Sequence, residues 1–121
     1  MVERFPGKRI CQIVKVRPEH LAEYKRVHEA VWPEVLQEIR ESNIVDYSIH
    51  YEPRSQLLIA SFKYIGDDWE RDSQRSSNHE PTKKWWQLTD GMQQSLVEGS
   101  TGSTDPRGWW TPLEEVFRFD S

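Results

Sequence analysis

"NIVDYSIHYEPRSQLLIASFKYI", residues 43–65, contains two runs of strand-forming residues around a turn. In the first run Val45 and Tyr47 fall on one face, while Asp46 and His50 fall on the other, as expected for a half-buried β-strand. The segment EPRS then supplies turn-forming residues, and QLLIASFKYI has the composition of a second strand. Residues 43–65 are therefore predicted to form an antiparallel hairpin.

A strand and a helix are predicted upstream of the hairpin. RICQIVKV (residues 9–16) is rich in β-branched residues and alternates as a strand does. Pro18 suits a first helical position, and Glu19 complements the positive end of the helix dipole. One continuous helix is predicted from there, because apolar and aromatic residues recur at helical spacing. This stripe consists of Leu21, Tyr24, His28, Val31, Val35 and Ile39.

Two helical segments, a long loop and a last strand are predicted downstream. GDDWERDSQRSS (66–77) reads as a polar helix capped by Asp67 or Asp68. EPTKKWWQLTDGMQQ (80–94) reads as a second helix that ends near Gly91. Residues 94–112 are rich in Gly, Ser, Thr and Pro and are predicted to be a loop insertion, and LEEVFRF (113–119) is predicted to be a closing strand.

The predicted order of strand, helix, strand, strand, helical region and strand is typical of an α+β fold. It matches the ferredoxin-like, split βαβ pattern, a four-stranded antiparallel sheet with helices on one face. Residues 1–121 are expected to form one domain. The uncovered sheet face predicts a homodimer that packs sheet against sheet, a dimeric α/β-barrel assembly.

The composition argues against several classes of partner and ligand. The net charge of −4 is spread over interspersed acids and bases, which argues against a nucleic-acid partner. No apolar run approaches the roughly 20 residues needed to span a membrane. Cys11 is the only cysteine, so a cytoplasmic location is expected. No histidine pair has the close helical spacing of a zinc site, so no metal is expected.

Tyr24 and His28 are the first candidates for chemistry. Residues four apart lie one above the other on a helix, so these two side chains share the inward face. An imidazole can donate and accept protons near neutral pH. The alternative is a core histidine with one satisfied hydrogen bond. Pro33 predicts a kink after His28 that opens space beside it, although Pro33 could equally begin a second helical segment for packing reasons.

Aromatic residues add a possible sugar site. Tyr47 lies on the apolar face of its strand, where a buried hydroxyl needs a partner. Trp85 and Trp86 are about 100° apart around a helix, so one can point into a pocket while the other walls its edge. Indole faces stack against the C–H faces of sugars, and the pair therefore favours a carbohydrate ligand.

Four motifs in order carry a resemblance to the L-rhamnose mutarotase family. EYKRVHEAVWPEV (23–35) is similar to its helix motif of Tyr, three residues, His, then Ile/Val-Trp-Pro-Glu. VDYSIHY resembles its second strand, KKWWQLTDGM its Trp-Trp helix, and LEEVFRF its closing strand. The resemblance implies a cofactor-free, homodimeric aldose 1-epimerase that interconverts the α and β anomers of L-rhamnose.

Residue by residue, the resemblance implies that His28 is the proton donor, with Tyr24 and Tyr47 contacting the sugar and Trp85 and Trp86 binding it. The loop at 94–112, with Trp109 and Trp110, looks longer than in bacterial members and could be a lid, a dimer arm or a surface insertion. Two other functions stay open at this point. One is a cofactor-independent monooxygenase or dehydratase on the same scaffold, and the other is a non-catalytic sugar-binding module.

Overall fold

The computed structural model describes residues 7–119. Strands β2 (Ile44–Glu52) and β3 (Leu57–Tyr64) form the predicted hairpin, and β1 (Lys8–Val16) pairs antiparallel with the other edge of β3. Two short strands, β4 (Gln93–Gln94) and β5 (Thr111–Pro112), pair with the far edge of β1. The order β2-β3-β1-β4 is that of the split βαβ unit, which confirms the predicted α+β, ferredoxin-like class.

The helices lie in the predicted regions of the chain. A 3-10 turn (Pro18–His20) leads into α1 (Leu21–His28), and α2 (Pro33–Glu41) completes the first crossover. Between β3 and β4 the chain forms α3 (Trp69–Ser77) and α4 (Glu80–Asp90). Asp68 caps α3, and Gly91 follows the last residue of α4, as predicted. No helix within residues 7–119 is long and apolar enough to cross a membrane.

The prediction of one continuous first helix was wrong, because the chain breaks between α1 and α2. The helix ends at His28, and Trp32 adopts an extended conformation with ψ of 132° directly before Pro33. A residue that precedes proline disfavours the helical conformation, and proline has no N–H to continue the hydrogen-bond ladder. Of the two interpretations of Pro33, the structure confirms the second, because Pro33 begins a separate helical segment, α2.

The core lies on the helical side of the sheet. Alternate residues of β3 are buried, namely Leu58, Ala60, Phe62 and Tyr64, while the residues between them are only half-buried. On this side a cluster of buried residues joins the sheet to α1 and to the chain after α4. Its members are Val14, Val16, Tyr24, Leu58 and Met92, with Trp109 and Trp110 packed against them.

A β-bulge in β2 corrects the predicted assignment of its faces. Val45 pairs with Lys63 and Ser48 with Ser61, so two residues, Asp46 and Tyr47, oppose one on β3. Asp46 has φ of +52° and forms an ion pair of 2.6 Å with Arg9. The extra residue interrupts the alternation, so Val45 shares the face of its partner Lys63, opposite to Tyr47. The prediction that Val45 and Tyr47 share one face was wrong for this reason.

The closing strand predicted at 113–119 does not form in the single chain. Leu113 N–H donates to the Cys11 carbonyl at 2.8 Å, and beyond this bond the segment forms no strand. Val116, Phe117 and Phe119 are 87%, 80% and 76% exposed. Because the segment does not pair with β1 beyond Leu113, its apolar side chains stay exposed to water in the single chain.

Candidate active site

A cavity of about 530 Å³ lies between helices α1 and α2 and the edge strand β2. Its volume falls within the range of roughly 300–1,000 Å³ that is usual for small-molecule sites. Aliphatic residues and a few polar ones, including Lys25, Glu29 and Ser48, contribute to the wall. The aromatic part of the wall consists of Tyr24, His28, Tyr47, His50, Tyr51 and Trp85.

Tyr24 and His28 meet at the end of α1, as their spacing predicts. Their ring centroids are 4.2 Å apart with 30° between the planes. His28 Nδ1 lies 2.7 Å from the backbone oxygen of Tyr24, one turn earlier in the helix. A carbonyl oxygen only accepts hydrogen bonds, so Nδ1 carries the proton and the neutral imidazole has its free lone pair on Nε2.

The surroundings of His28 favour its neutral form. Burial lowers the pKa of His28 below its ordinary value of 6.5, and the hydrogen bond to the Tyr24 carbonyl opposes this effect. Neutral imidazole therefore predominates at cellular pH. With Nδ1 engaged, His28 can accept a proton at Nε2 and later return it.

Trp85 is part of the cavity wall. It is only 6% exposed, and its ring lies edge-on to those of His28 and Trp32, at 5.2 Å from each. Trp86, the next residue of α4, is not part of the cavity wall among residues 7–119. The structure thus places Trp85 with Tyr24 and His28 and leaves Trp86 outside the cavity of the single chain.

Tyr47 is part of the cavity wall and belongs to β2. Its ring stacks on Phe62 at 5.2 Å and 18°, and the residue is 40% exposed. Its position follows from the bulge at Asp46, since the extra residue sets which face Tyr47 occupies.

The hydroxyl of Tyr24 has a partner that sequence reasoning missed. Gln93 Nε2 donates to it at 3.2 Å, and Gln93 Oε1 accepts from Trp109 Nε1 at 2.8 Å. Gln93 is only 2% exposed. Burial, followed by the nearby Tyr47, raises the pKa of Tyr24, and the hydrogen bond from Gln93 opposes this shift. No local pattern points to Gln93, because it lies beyond the end of α4 and meets Tyr24 only in the folded chain.

Residues 95–110 are held against the rest of the chain by hydrogen bonds. Ser103 donates twice to Asp90 at the end of α4, and the Ser95 hydroxyl donates to the Trp109 carbonyl. Within the described part of the chain, no residue of this loop lines the cavity. Within a single chain the loop thus lies away from the cavity wall, and Trp109 and Trp110 pack against the core.

Comparisons with known proteins give the family. A sequence profile described as L-rhamnose mutarotase matches residues 9–119. The L-rhamnose mutarotase of Bacteroides thetaiotaomicron is 31% identical over 105 residues, which cover 87% of this chain and 91% of the relative. That of Formosa agariphila is 30% identical over 110 residues, or 91% of this chain and 96% of the relative.

A solved structure agrees. The crystal structure of an L-rhamnose mutarotase from Formosa agariphila aligns with a TM-score of 0.71 at 26% identity. The alignment covers 93% of this chain and 99% of that one. Sequence profile, relatives and structure coincide over nearly the whole described chain, and the protein therefore belongs to the L-rhamnose mutarotase family.

Proposed function

We propose that this protein interconverts the α and β anomers of L-rhamnose by opening and reclosing the sugar ring. The observation that carries the proposal is the pairing of Tyr24 with a neutral His28 in the wall of one cavity. Family membership supports the substrate and the class of enzyme, a carbohydrate epimerase. The reaction only moves protons and breaks and reforms one C–O bond, so it requires no electron carrier.

Ring opening needs a base and an acid in the same cavity. As the anomeric hydroxyl loses its proton, the bond between C1 and the ring oxygen breaks, and the ring oxygen gains a proton. In this mechanism His28 Nε2 takes the anomeric proton, while the Tyr24 hydroxyl gives its proton to the ring oxygen. Rotation about C1–C2 and reclosure deliver the other anomer, and His28 then acts as the proton donor.

In the proposed function, aromatic residues of the cavity wall bind the sugar. Trp85 offers an indole to the apolar C–H face and methyl group of the sugar, and Tyr47 offers a hydroxyl to its polar edge. Trp86, which the family resemblance implies as a sugar contact, lies outside the cavity wall of the single subunit. Its role in substrate binding stays a prediction.

A homodimer in the cytoplasm is part of the proposal. The face of the sheet opposite the helices is only half-buried in the single chain, and the segment 113–119 carries exposed Val116, Phe117 and Phe119. Exposed apolar patches of this kind are usual at protein interfaces. A second copy of the chain would cover both surfaces. The free thiol of Cys11 is consistent with a reducing compartment.

Exchange NMR on the anomeric protons of L-rhamnose tests the proposal. Wild-type protein is expected to accelerate exchange between the α and β signals in proportion to its concentration, with other aldoses as a specificity panel. If the protein binds the sugar but does not accelerate exchange, it is a sugar-binding module and not an enzyme. No acceleration for any aldose would overturn the proposal.

A further inference from the structure

The three side chains Trp109, Gln93 and Tyr24 form a hydrogen-bonded relay from the loop insertion to the cavity. Trp109 Nε1 lies 2.8 Å from Gln93 Oε1, and Gln93 Nε2 lies 3.2 Å from the Tyr24 hydroxyl. Gln93 is 2% exposed and Tyr24 is 5% exposed, so water competes little for these bonds. From this relay we infer that Gln93 is a positioning residue that sets the direction of the Tyr24 proton, and that Trp109 holds Gln93 in the required orientation.

The direction of both hydrogen bonds follows from the chemistry of the Trp109 indole. An indole nitrogen can only donate a hydrogen bond, so the atom of Gln93 that faces Trp109 must be the amide oxygen. The amide nitrogen of Gln93 then faces the Tyr24 hydroxyl. Gln93 therefore donates, and the Tyr24 oxygen accepts.

This arrangement leaves the Tyr24 proton for another acceptor. Because Gln93 donates to the phenol oxygen, the O–H bond of Tyr24 is free to point elsewhere, and Tyr24 is part of the cavity wall. The inference rests on the proposed function, in which that proton goes to the ring oxygen of the sugar. The same donor also stabilises the negative charge that develops on the phenol oxygen as the proton leaves.

The loop insertion thus has a role that neither a lid nor a surface insertion would have. Trp109 is placed by the pairing of β5 with β1 and by the hydrogen bond from Ser95 to its carbonyl oxygen. Without the indole N–H, the amide of Gln93 could turn over, and its oxygen would then accept a hydrogen bond from the Tyr24 hydroxyl. The loop acts on the reaction through the orientation of one buried amide.

The first variant removes the donor. Gln93→Leu is expected to lower the saturated exchange rate for L-rhamnose roughly 10- to 100-fold, the usual worth of a hydrogen bond to a charged group, with KM nearly unchanged. Trp109→Phe keeps an aromatic ring but removes the N–H, and a loss of roughly 2- to 10-fold in the same rate constant is expected for a weakened orientation. Gln94→Leu, at the exposed neighbouring position, is the matched control and is expected to behave as wild type.

The second variant gives a readout that a purely structural residue would not give. In Gln93→Glu, an ionised carboxylate accepts a hydrogen bond from the Tyr24 hydroxyl and turns its O–H away from the sugar, whereas a protonated carboxyl donates to Tyr24 as the amide does. The ratio of the Gln93→Glu rate to the wild-type rate is therefore expected to rise as the pH falls from 8 to 5. The same ratio for Gln93→Leu is expected to stay flat.

Melting temperatures of all variants accompany the rates. Wild-type rates in Gln93→Leu and Trp109→Phe, or a flat pH ratio for Gln93→Glu in a folded protein, would overturn the inference and leave the proposed function intact. A wild-type protein that does not accelerate exchange would overturn both.

Discussion

His28 Nδ1 donates a hydrogen bond of 2.7 Å to the backbone carbonyl of Tyr24, and the Tyr24 ring lies 4.2 Å from the His28 imidazole at a tilt of 30°. One helical turn thus determines the tautomer of the histidine and its position against the tyrosine. The free Nε2 belongs to a side chain in the cavity wall. The proposed base and acid are consequently held by the same short helix, α1.

The first prediction concerns His28. His28→Asn keeps a side-chain N–H for the Tyr24 carbonyl but has no imidazole lone pair to accept a proton. Its enzyme-dependent exchange of L-rhamnose anomers is expected to fall by roughly 100-fold or more, the usual contribution of a positioned acid–base group. His20→Gln, in the 3-10 turn outside the cavity, is the matched control. An unchanged rate in His28→Asn would assign the proton transfer to another group.

The second prediction is the pH dependence of the reaction. Burial lowers the pKa of His28 below 6.5, and catalysis in the opening direction needs the neutral form. The enzyme-dependent rate is therefore expected to stay nearly constant as the pH falls from 8 to 6.5, and to decline only below that range. Exchange NMR with the spontaneous rate subtracted gives the profile. A rate that rises as the pH falls through 6.5 would mean that the imidazolium acts first, as an acid.

The third prediction separates the two adjacent tryptophans. Trp85→Phe trims the indole that lies against His28 and is expected to raise KM for L-rhamnose several-fold, roughly 1 kcal/mol of lost contact. Trp86→Phe is expected to change KM less than about twofold, since Trp86 lies outside the cavity wall. Sugar titrations followed by exchange NMR measure both. Equal effects would place Trp86 at the sugar, in a site completed by a second subunit.

The fourth prediction concerns the stability of α3. The Asp68 carboxylate accepts a hydrogen bond of 3.1 Å from the Arg71 backbone N–H, which otherwise lacks a partner at the start of the helix. Asp68→Ala is expected to lower the free energy of unfolding by about 1 kcal/mol. The neighbouring Asp67, with a side chain that is 93% exposed, provides the control, and Asp67→Ala is expected to cost less than about 0.5 kcal/mol. Urea unfolding distinguishes the two.

The fifth prediction tests the homodimer. Phe117 is 80% exposed in the single chain, and the proposal buries the segment 113–119 against a second copy. Phe117→Glu is expected to weaken self-association by at least ~10-fold, because it places a charge in an apolar interface. Analytical ultracentrifugation of the wild type, Phe117→Glu and the loop control Leu96→Glu measures the effect. A wild-type protein that sediments as a monomer at all concentrations would contradict the proposed assembly.

The hairpin, the helices and the Tyr24–His28 pair could all be predicted from the sequence. Each depends on residues close in the chain, and local periodicity, capping residues and prolines record such relationships directly. Pro33 marks the site of the helix break in the sequence. Only the structure shows that Trp32 is extended and that the chain therefore forms two separate helices. Family resemblance extended the local motifs to the candidate roles of His28 and Tyr24.

Only the tertiary structure decided the features that depend on distant partners. The bulge at Asp46 moved Val45 to the opposite face, because the register of β2 is set against β3 and not within β2 itself. The segment 113–119 formed no strand, because a strand needs a neighbour and the pairing with β1 stops at Leu113. Gln93 reached Tyr24 across 69 positions of sequence. Sequence patterns report the local conformational preferences of the chain. Strand register and buried hydrogen bonds depend instead on segments that are distant in the sequence, because these segments compete for the same core and the same strand edges.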